Sequence, residues 1–153
     1  MVHLIWLFFL LLNIAFSFSA YSKAPATEWL SLKYDKTYLR SGPSKQNKVL
    51  WTYKKKGLPI KLIRTKGDWY EVEMPEQIKG WINSSQISFK RRVLVISENP
   101  INIRKKEEIS SKIVAKASRN VVGELIGCQK RFCKIDFYKI EGFVEKESLW
   151  GID

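Results

Sequence analysis

From Trp29 onward, the apolar residues occur in short runs that are typical of β-strands. The clearest runs cover residues 49–53, 58–64, 69–74 and 79–82. Turn-forming sequences separate them: Ser-Gly-Pro at 41–43, Lys-Gly at 56–57 and Lys-Gly-Asp at 66–68. No stretch keeps the 3.6-residue period of an amphipathic helix, so the pattern predicts an all-β protein.

The same order of signals recurs about 63 residues later in the chain. Trp-Tyr-Glu-Val-Glu-Met at 69–74 matches Phe-Cys-Lys-Ile-Asp-Phe at 132–137. Lys-Gly-Trp-Ile at 79–82 matches Glu-Gly-Phe-Val at 141–144, and both copies keep the glycine. This repeat predicts two domains, at residues 29–88 and 89–153, called here the first and the second unit. Because a two-stranded hairpin cannot bury a core, we expect each unit to curl into a small β-barrel.

Alternation within residues 69–74 predicts which side chains face the core. Tyr70, Val72 and Met74 share one face, and Trp69 lies with two glutamates on the other. The matching strand of the second unit has the same alternation. For Trp81, which lies between Gly80 and Ile82, we expect packing in the core.

An uncharged, apolar head precedes the two units. Residues 4–18 are apolar apart from Asn13, and no Lys, Arg, Asp or Glu occurs before Lys23. Fifteen residues are short for a bilayer span and fit the apolar region of a secretory signal peptide. We expect cleavage after Ser19, with residues 20–28 as a flexible mature N-terminus, although an uncleaved membrane anchor is the alternative. The predicted location is therefore exported, either periplasmic or secreted.

The two cysteines, Cys128 and Cys133, agree with export. An even number of cysteines in an exported chain indicates a disulfide, and two thiolates without histidine cannot complete a zinc site. We predict a disulfide between them, with no metal and no cofactor.

Composition argues against catalysis. The only histidine, His3, lies in the head, and neither Gly-x-Ser-x-Gly nor Ser-x-x-Lys occurs. The net charge of +12 attracts anionic partners, and both units contribute to it. Export argues against nucleic acid, so anionic envelope lipids and cell-wall carboxylates are the expected counterparts. Arg40 and Arg104 occupy equivalent positions, and we expect them to support the fold by pairing with an acidic group rather than to bind a ligand.

The first unit resembles the bacterial SH3-like (SH3b) domains. The resemblance rests on Tyr-Leu-Arg-Ser-Gly-Pro-Ser at 38–44, Lys-Gly-Leu-Pro-Ile at 56–60, Gly-Asp-Trp-Tyr-Glu-Val at 67–72 and Gly-Trp-Ile at 80–82. Tandem copies after a signal peptide are similar to a family of exported SH3-like proteins of Gram-negative bacteria. The second unit departs from the motif, because Lys-Lys-Glu-Glu at 105–108 replaces Ser-Gly-Pro-Ser and phenylalanines replace the tryptophans. The resemblance implies two tandem SH3-like barrels.

The resemblance also implies a binding site. In ligand-binding SH3 domains, a tryptophan that opens the strand after a loop lines the peptide groove, and Trp69 has a similar place. Tyr38 and Tyr53 would complete a stacking platform, and Lys54, Lys55 and Lys56 would attract carboxylates. A tryptophan that only covers the barrel rim is the other interpretation of Trp69, and the residues leave both open.

The predicted function is a non-catalytic binding module for a cell-envelope ligand, either a peptidoglycan peptide or an envelope protein segment. The alternative is a structural or scaffold protein of envelope assembly that acts by protein–protein contacts at a sheet edge.

Overall fold

The structure is a computed structural model that describes residues 27–153. The predicted signal peptide at 1–19 and residues 20–26 lie outside the described residues. Within residues 27–153, no helix is long and apolar enough to cross a membrane.

The described chain consists of fourteen β-strands and two single-turn 3₁₀ segments, Ser84–Gln86 and Lys146–Ser148. The strands of the first unit are β1 (Trp29–Leu32), β2 (Thr37–Arg40), β3 (Val49–Tyr53), β4 (Pro59–Lys66), β5 (Trp69–Glu73), β6 (Lys79–Asn83) and β7 (Ile87–Ser88). Those of the second unit are β8 (Arg92–Val95), β9 (Ile101–Arg104), β10 (Ile113–Ala117), β11 (Val122–Gln129), β12 (Phe132–Phe137), β13 (Ile140–Glu145) and β14 (Leu149–Trp150). The predicted all-β class is confirmed.

The strands form two seven-stranded sheets with one topology. The first has the order β3-β2-β6-β5-β4-β1-β7, and the second has the order β10-β9-β13-β12-β11-β8-β14. Each strand of the second sheet thus takes the place of the strand seven positions earlier. The repeat in the sequence therefore reflects a repeat in the fold, while the domain boundaries at residues 88 and 89 stay a prediction.

The alternation predicted for β5 is present. Val72 and Met74 are fully buried, and Tyr70 packs against the same apolar cluster. In β12, Cys133 and Ile135 are fully buried in the second cluster. Each of these central strands therefore directs one face into a core and the other outward.

Both sheets carry β-bulges at the same two places. The register between β4 and β5 shifts at Ile63, and that between β11 and β12 shifts at Ile126. The register of the outermost hairpin shifts at Leu50 in the first sheet and at Val114 in the second. All four aliphatic side chains are exposed, because an extra residue in one strand has no partner opposite it.

The two units pack on each other. Leu94 and Val122 belong to the second sheet, but they are buried in the apolar cluster of the first. Trp29 in β1 contacts Trp150 in β14 edge to face, with ring centroids 5.0 Å apart. Its Nε1 donates a hydrogen bond of 3.0 Å to the carboxylate of Asp153. Small barrels bury few side chains alone, so this packing enlarges the core of the first unit.

Candidate functional site: the outer face of the first sheet

Trp81 lies at the centre of the outward face of the first sheet. Strand β6 runs between β2 and β5, and Trp81 is opposite Arg40 on one side and Glu71 on the other. Its neighbours in β6 point inward: Ile82 is fully buried in the core, and a side chain at Gly80 would meet Leu39. Because successive residues of a strand alternate between faces, Trp81 must point outward.

Trp81 is nevertheless buried, with 7% of its surface exposed. The guanidinium of Arg64 lies over its ring, 5.4 Å from the centroid, and the same guanidinium forms an ion pair with Glu71. The tryptophan is therefore buried as expected, but its cover is a cation on the outer face and it is not part of the apolar cluster. The sequence of β6 indicates this outward position, because alternation places Trp81 on the same face as the polar residues Lys79 and Asn83.

A groove of about 370 Å³ lies beside this tryptophan. Residues 41–43 form one wall, residues 64–66 form the other, and Trp81 lies between them. Arg64 and Lys66 give the second wall a positive charge. This groove, called here the Trp81 groove, combines an aromatic ring, two cationic side chains and the turn at residues 41–43. Such a lining suits a ligand with both an apolar part and a carboxylate.

Arg40 holds one side of the Trp81 groove in place. Its Nη1 donates hydrogen bonds to the carbonyl oxygens of Lys45 and Asn47, at 3.0 and 2.9 Å. Arg104 makes the equivalent bond of 3.0 Å to the carbonyl of Ser111 in the second unit. Both arginines thus support the loop that follows their strand, and within the described residues neither pairs with a carboxylate.

The structure brings Tyr38 and Trp69 to the same face. Tyr38 is two residues before Arg40, and Trp69 is two residues before Glu71. The two rings therefore share the outward face of Trp81. Trp69 is half-buried and opposite Lys66 and Asn83.

Cations surround the Tyr38 ring. Lys36 Nζ lies 5.3 Å from its centroid and the Arg40 guanidinium 5.7 Å. Lys36 forms a side-chain hydrogen bond with Tyr38 and also interacts electrostatically with it, and both interactions raise the pKa of Lys36. The aromatic residues of the outer face are therefore bordered by positive charge.

Tyr53 is not part of this outer face. It is opposite Thr37, the neighbour of Tyr38 in β2, and packs against the apolar cluster. Its hydroxyl donates a hydrogen bond of 3.4 Å to Glu76 Oε2. Burial, together with the carboxylate of Glu76, raises the pKa of Tyr53 well above its ordinary value.

Lys54, Lys55 and Lys56 also lie elsewhere. They line a cleft of about 570 Å³ at the junction of the two units. The six residues proposed from the sequence as one site are thus divided among an outer face, a core edge and this cleft.

The predicted disulfide between Cys128 and Cys133 is present, and it joins facing residues of β11 and β12. Cys133 is fully buried, so the bond ties the hairpin to the second core. Within the part of the chain that the structure describes, no three His, Cys, Asp or Glu side chains are grouped to hold a metal ion.

Solved structures similar to the chain include NlpC2 from Trichomonas vaginalis (TM-score 0.39, 10% identity, 84% of this chain and 49% of that one). They also include NlpC1 from the same organism (TM-score 0.37, 12% identity, 86% and 48%) and an NlpC/P60 family protein from Bacillus cereus ATCC 10987 (TM-score 0.37, 10% identity, 80% and 55%). The chain spans about half the length of these structures. No curated protein matches it.

The family model of the bacterial SH3 domain matches residues 33–88. This range holds the outer face, the Trp81 groove and six of the seven strands of the first sheet. Residues 33–88 therefore match the bacterial SH3 domain family.

Proposed function

We propose that this protein is an exported, non-catalytic binding module that recognises a cell-envelope ligand through the outer face of its first sheet. The ligand is a peptidoglycan peptide or a segment of an envelope protein. A bacterial SH3 domain is a binding domain, and the residues with aromatic and cationic side chains on this face supply the contacts.

The observation that carries the proposal is the Trp81 groove. Its walls come from two separate hairpins. Arg64 is paired with Glu71, whereas Lys66 forms no salt bridge within residues 27–153 and offers its charge to a carboxylate at the edge of an aromatic surface. Tyr38 and Trp69 extend this aromatic surface beside the groove. A short peptide with a free carboxylate can place its apolar part on the rings and its charge against the cations.

Two features support export. The chain has a disulfide between Cys128 and Cys133, and structural disulfides form and persist in oxidising compartments such as the bacterial periplasm or the exterior. The apolar segment at residues 4–18 has the length of a signal-peptide core. The high positive charge favours attraction to the anionic lipids and carboxylates of that environment.

The experiment is retention of the purified protein on isolated cell wall, compared with its Trp69→Ala and Lys66→Ala variants. We expect each variant to lose about tenfold in affinity, which corresponds to about 1.4 kcal/mol. Tyr34→Ala is the matched control, because Tyr34 is an exposed aromatic residue that does not line the Trp81 groove. Equal retention of all four proteins would show that the outer face does not bind the wall.

A scaffold role is the second candidate, and the edge of the first sheet favours it. Strand β3 is the last strand of that sheet, and Val49, Leu50 and Trp51 are all exposed on it. An exposed apolar edge can accept a strand from a partner protein. Leu50→Lys should then abolish co-purification of that partner while retention on cell wall stays unchanged. Loss of wall retention instead would exclude this second role for β3.

A further inference from the structure

The junction between the two units contains a second, separate basic site. The cleft of about 570 Å³ is lined by Lys54, Lys55 and Lys56 from the loop after β3, and by Arg92 from β8. Tyr138, in the turn between β12 and β13, lies at the rim with 84% of its surface exposed. Both units are therefore needed to build this junction cleft.

The positive charge of the junction cleft is largely uncompensated. Four cationic side chains line it, and Asp35 is the one carboxylate among the lining residues. Asp35 accepts a hydrogen bond of 3.3 Å from the backbone N–H of Lys56. Within residues 27–153, none of these four cations forms a salt bridge. Like charges that line one concave surface add to a positive local potential, which attracts an anion.

Arg92 is a fixed part of the junction cleft. Its side chain lies directly on Gly57, since a Cβ at that glycine would be 2.8 Å from Arg92 Nη1 and 2.9 Å from its Cδ. This contact places the guanidinium between the units. Arg92 Nε is buried and has no hydrogen-bond partner. A buried donor without an acceptor costs free energy, and an anionic oxygen in the junction cleft would recover it.

We propose that the junction cleft binds a phosphomonoester, on a soluble molecule or on a lipid headgroup. The planar guanidinium of Arg92 offers paired donors to two phosphate oxygens, and the three lysines add flexible point charges around them. The excess of cations over Asp35 suits a dianion better than a single carboxylate. The volume accommodates more than an isolated ion, with the ring of Tyr138 available to the group that bears the phosphate. This site is independent of the Trp81 groove.

Titration of the purified protein with glucose 6-phosphate, followed by NMR chemical shifts, tests the soluble source. Vesicles of phosphatidylcholine with phosphatidic acid, compared with vesicles containing phosphatidylglycerol at equal charge, test the lipid source. We expect saturable binding in at least one arm, with phosphatidic acid preferred if the source is lipid. Binding only in the titration would assign a soluble ligand. No binding in either arm, or equal binding to both vesicles without binding of glucose 6-phosphate, would overturn the proposal.

Two sets of variants separate a built site from general charge attraction. Lys54→Ala/Lys55→Ala/Lys56→Ala should weaken binding at least tenfold. The matched triple Lys105→Ala/Lys106→Ala/Lys112→Ala removes the same charge from exposed positions of the second unit and should weaken binding less than twofold. Arg92→Met keeps the aliphatic stem on Gly57 and should reduce binding by a similar factor without lowering the unfolding temperature of the free protein. Equal loss in the two triples would show that net charge alone attracts the phosphate.

Discussion

The two units share a backbone but differ in their outer faces. Their strand orders and bulge positions are the same, and equivalent strands have the same register. The aromatic and cationic residues of the first outer face are replaced in the second at paired positions: Tyr38 by Asn102, Arg64 by Gly127, Trp69 by Phe132 and Trp81 by Phe143.

This difference separates what the fold requires from what is particular to one unit. Both units keep the inward glycine of β6 and β13 and the arginine that supports the loop after β2 and β9. Only the first unit keeps the cation over the tryptophan. The second unit instead has the disulfide, at the positions of Thr65 and Tyr70, and contributes two residues to the first core.

The largest expected effect tests the shared framework. A Cβ at Gly80 would lie 2.8 Å from the carbonyl oxygen of Arg40, and a Cβ at Gly142 would lie 2.8 Å from that of Arg104. We therefore expect Gly80→Ala and Gly142→Ala each to lower the free energy of unfolding by about 3 kcal/mol, because the neighbouring strand must move. Gly127→Ala is the control, since nothing lies within 4 Å of its Cβ position. Chemical denaturation measures all three, and a Gly142→Ala variant as stable as Gly127→Ala would refute the shared steric role.

The disulfide provides the next contrast. Removing it by Cys128→Ser/Cys133→Ala should cost about 2 kcal/mol, because the closed loop is short. Thermal unfolding with and without reductant measures this, and the double variant should be insensitive to reductant. If reductant lowered the unfolding temperature of the variant as well, the disulfide would not be the cause.

The turns that join the matched hairpins make a smaller difference. Gly67 has φ of +56° in the first turn, whereas Lys130 has φ of +40° in the second. Because a side chain disfavours this region, Lys130→Gly should raise the free energy of unfolding by about 1 kcal/mol, and Gly67→Lys should lower it. The midpoint of chemical denaturation measures the change in stability of both variants. A change of the same sign in the two variants would show that charge, rather than backbone conformation, dominates.

The smallest effect at neutral pH concerns Tyr53, whose place is taken by Ala117 in the second unit. Since its pKa is raised by burial and by Glu76, the folded protein keeps the Tyr53 proton where the unfolded chain releases it. Stability from this group is complete below the ordinary pKa of 10.0 and is lost as pH rises above it. The free energy of unfolding, measured from pH 9 to 11, should therefore fall more steeply with pH for the wild type than for Tyr53→Phe. Parallel curves would contradict the raised pKa.

Much of the fold was predictable because periodicity and turns are local. The alternation in β5 and the disulfide follow from residues close together in sequence, the repeat follows from the recurrence of one pattern, and all three are confirmed. The candidate site was less predictable, because it depends on register between distant strands. Tyr38 and Tyr53 lie on neighbouring strands, but Tyr53 faces the core because it is opposite the buried Thr37. The bulge at Leu50 shifts the register between β3 and β2, and no pattern in the neighbouring residues predicts this bulge.

The contact of Trp29 with Trp150 and Asp153 has a consequence for the order of folding. These partners are more than 120 residues apart in sequence, with a separation of 124 positions for Trp29 and Asp153. A chain that emerges from a ribosome or a translocation channel with its N-terminus first presents Trp29 long before Trp150 is available. The first unit can curl around its own strands, but the indole of Trp29 stays without these contacts until the last strand arrives. Final docking is therefore a late, long-range step that links synthesis of residues 150–153 to the final packing of the first unit.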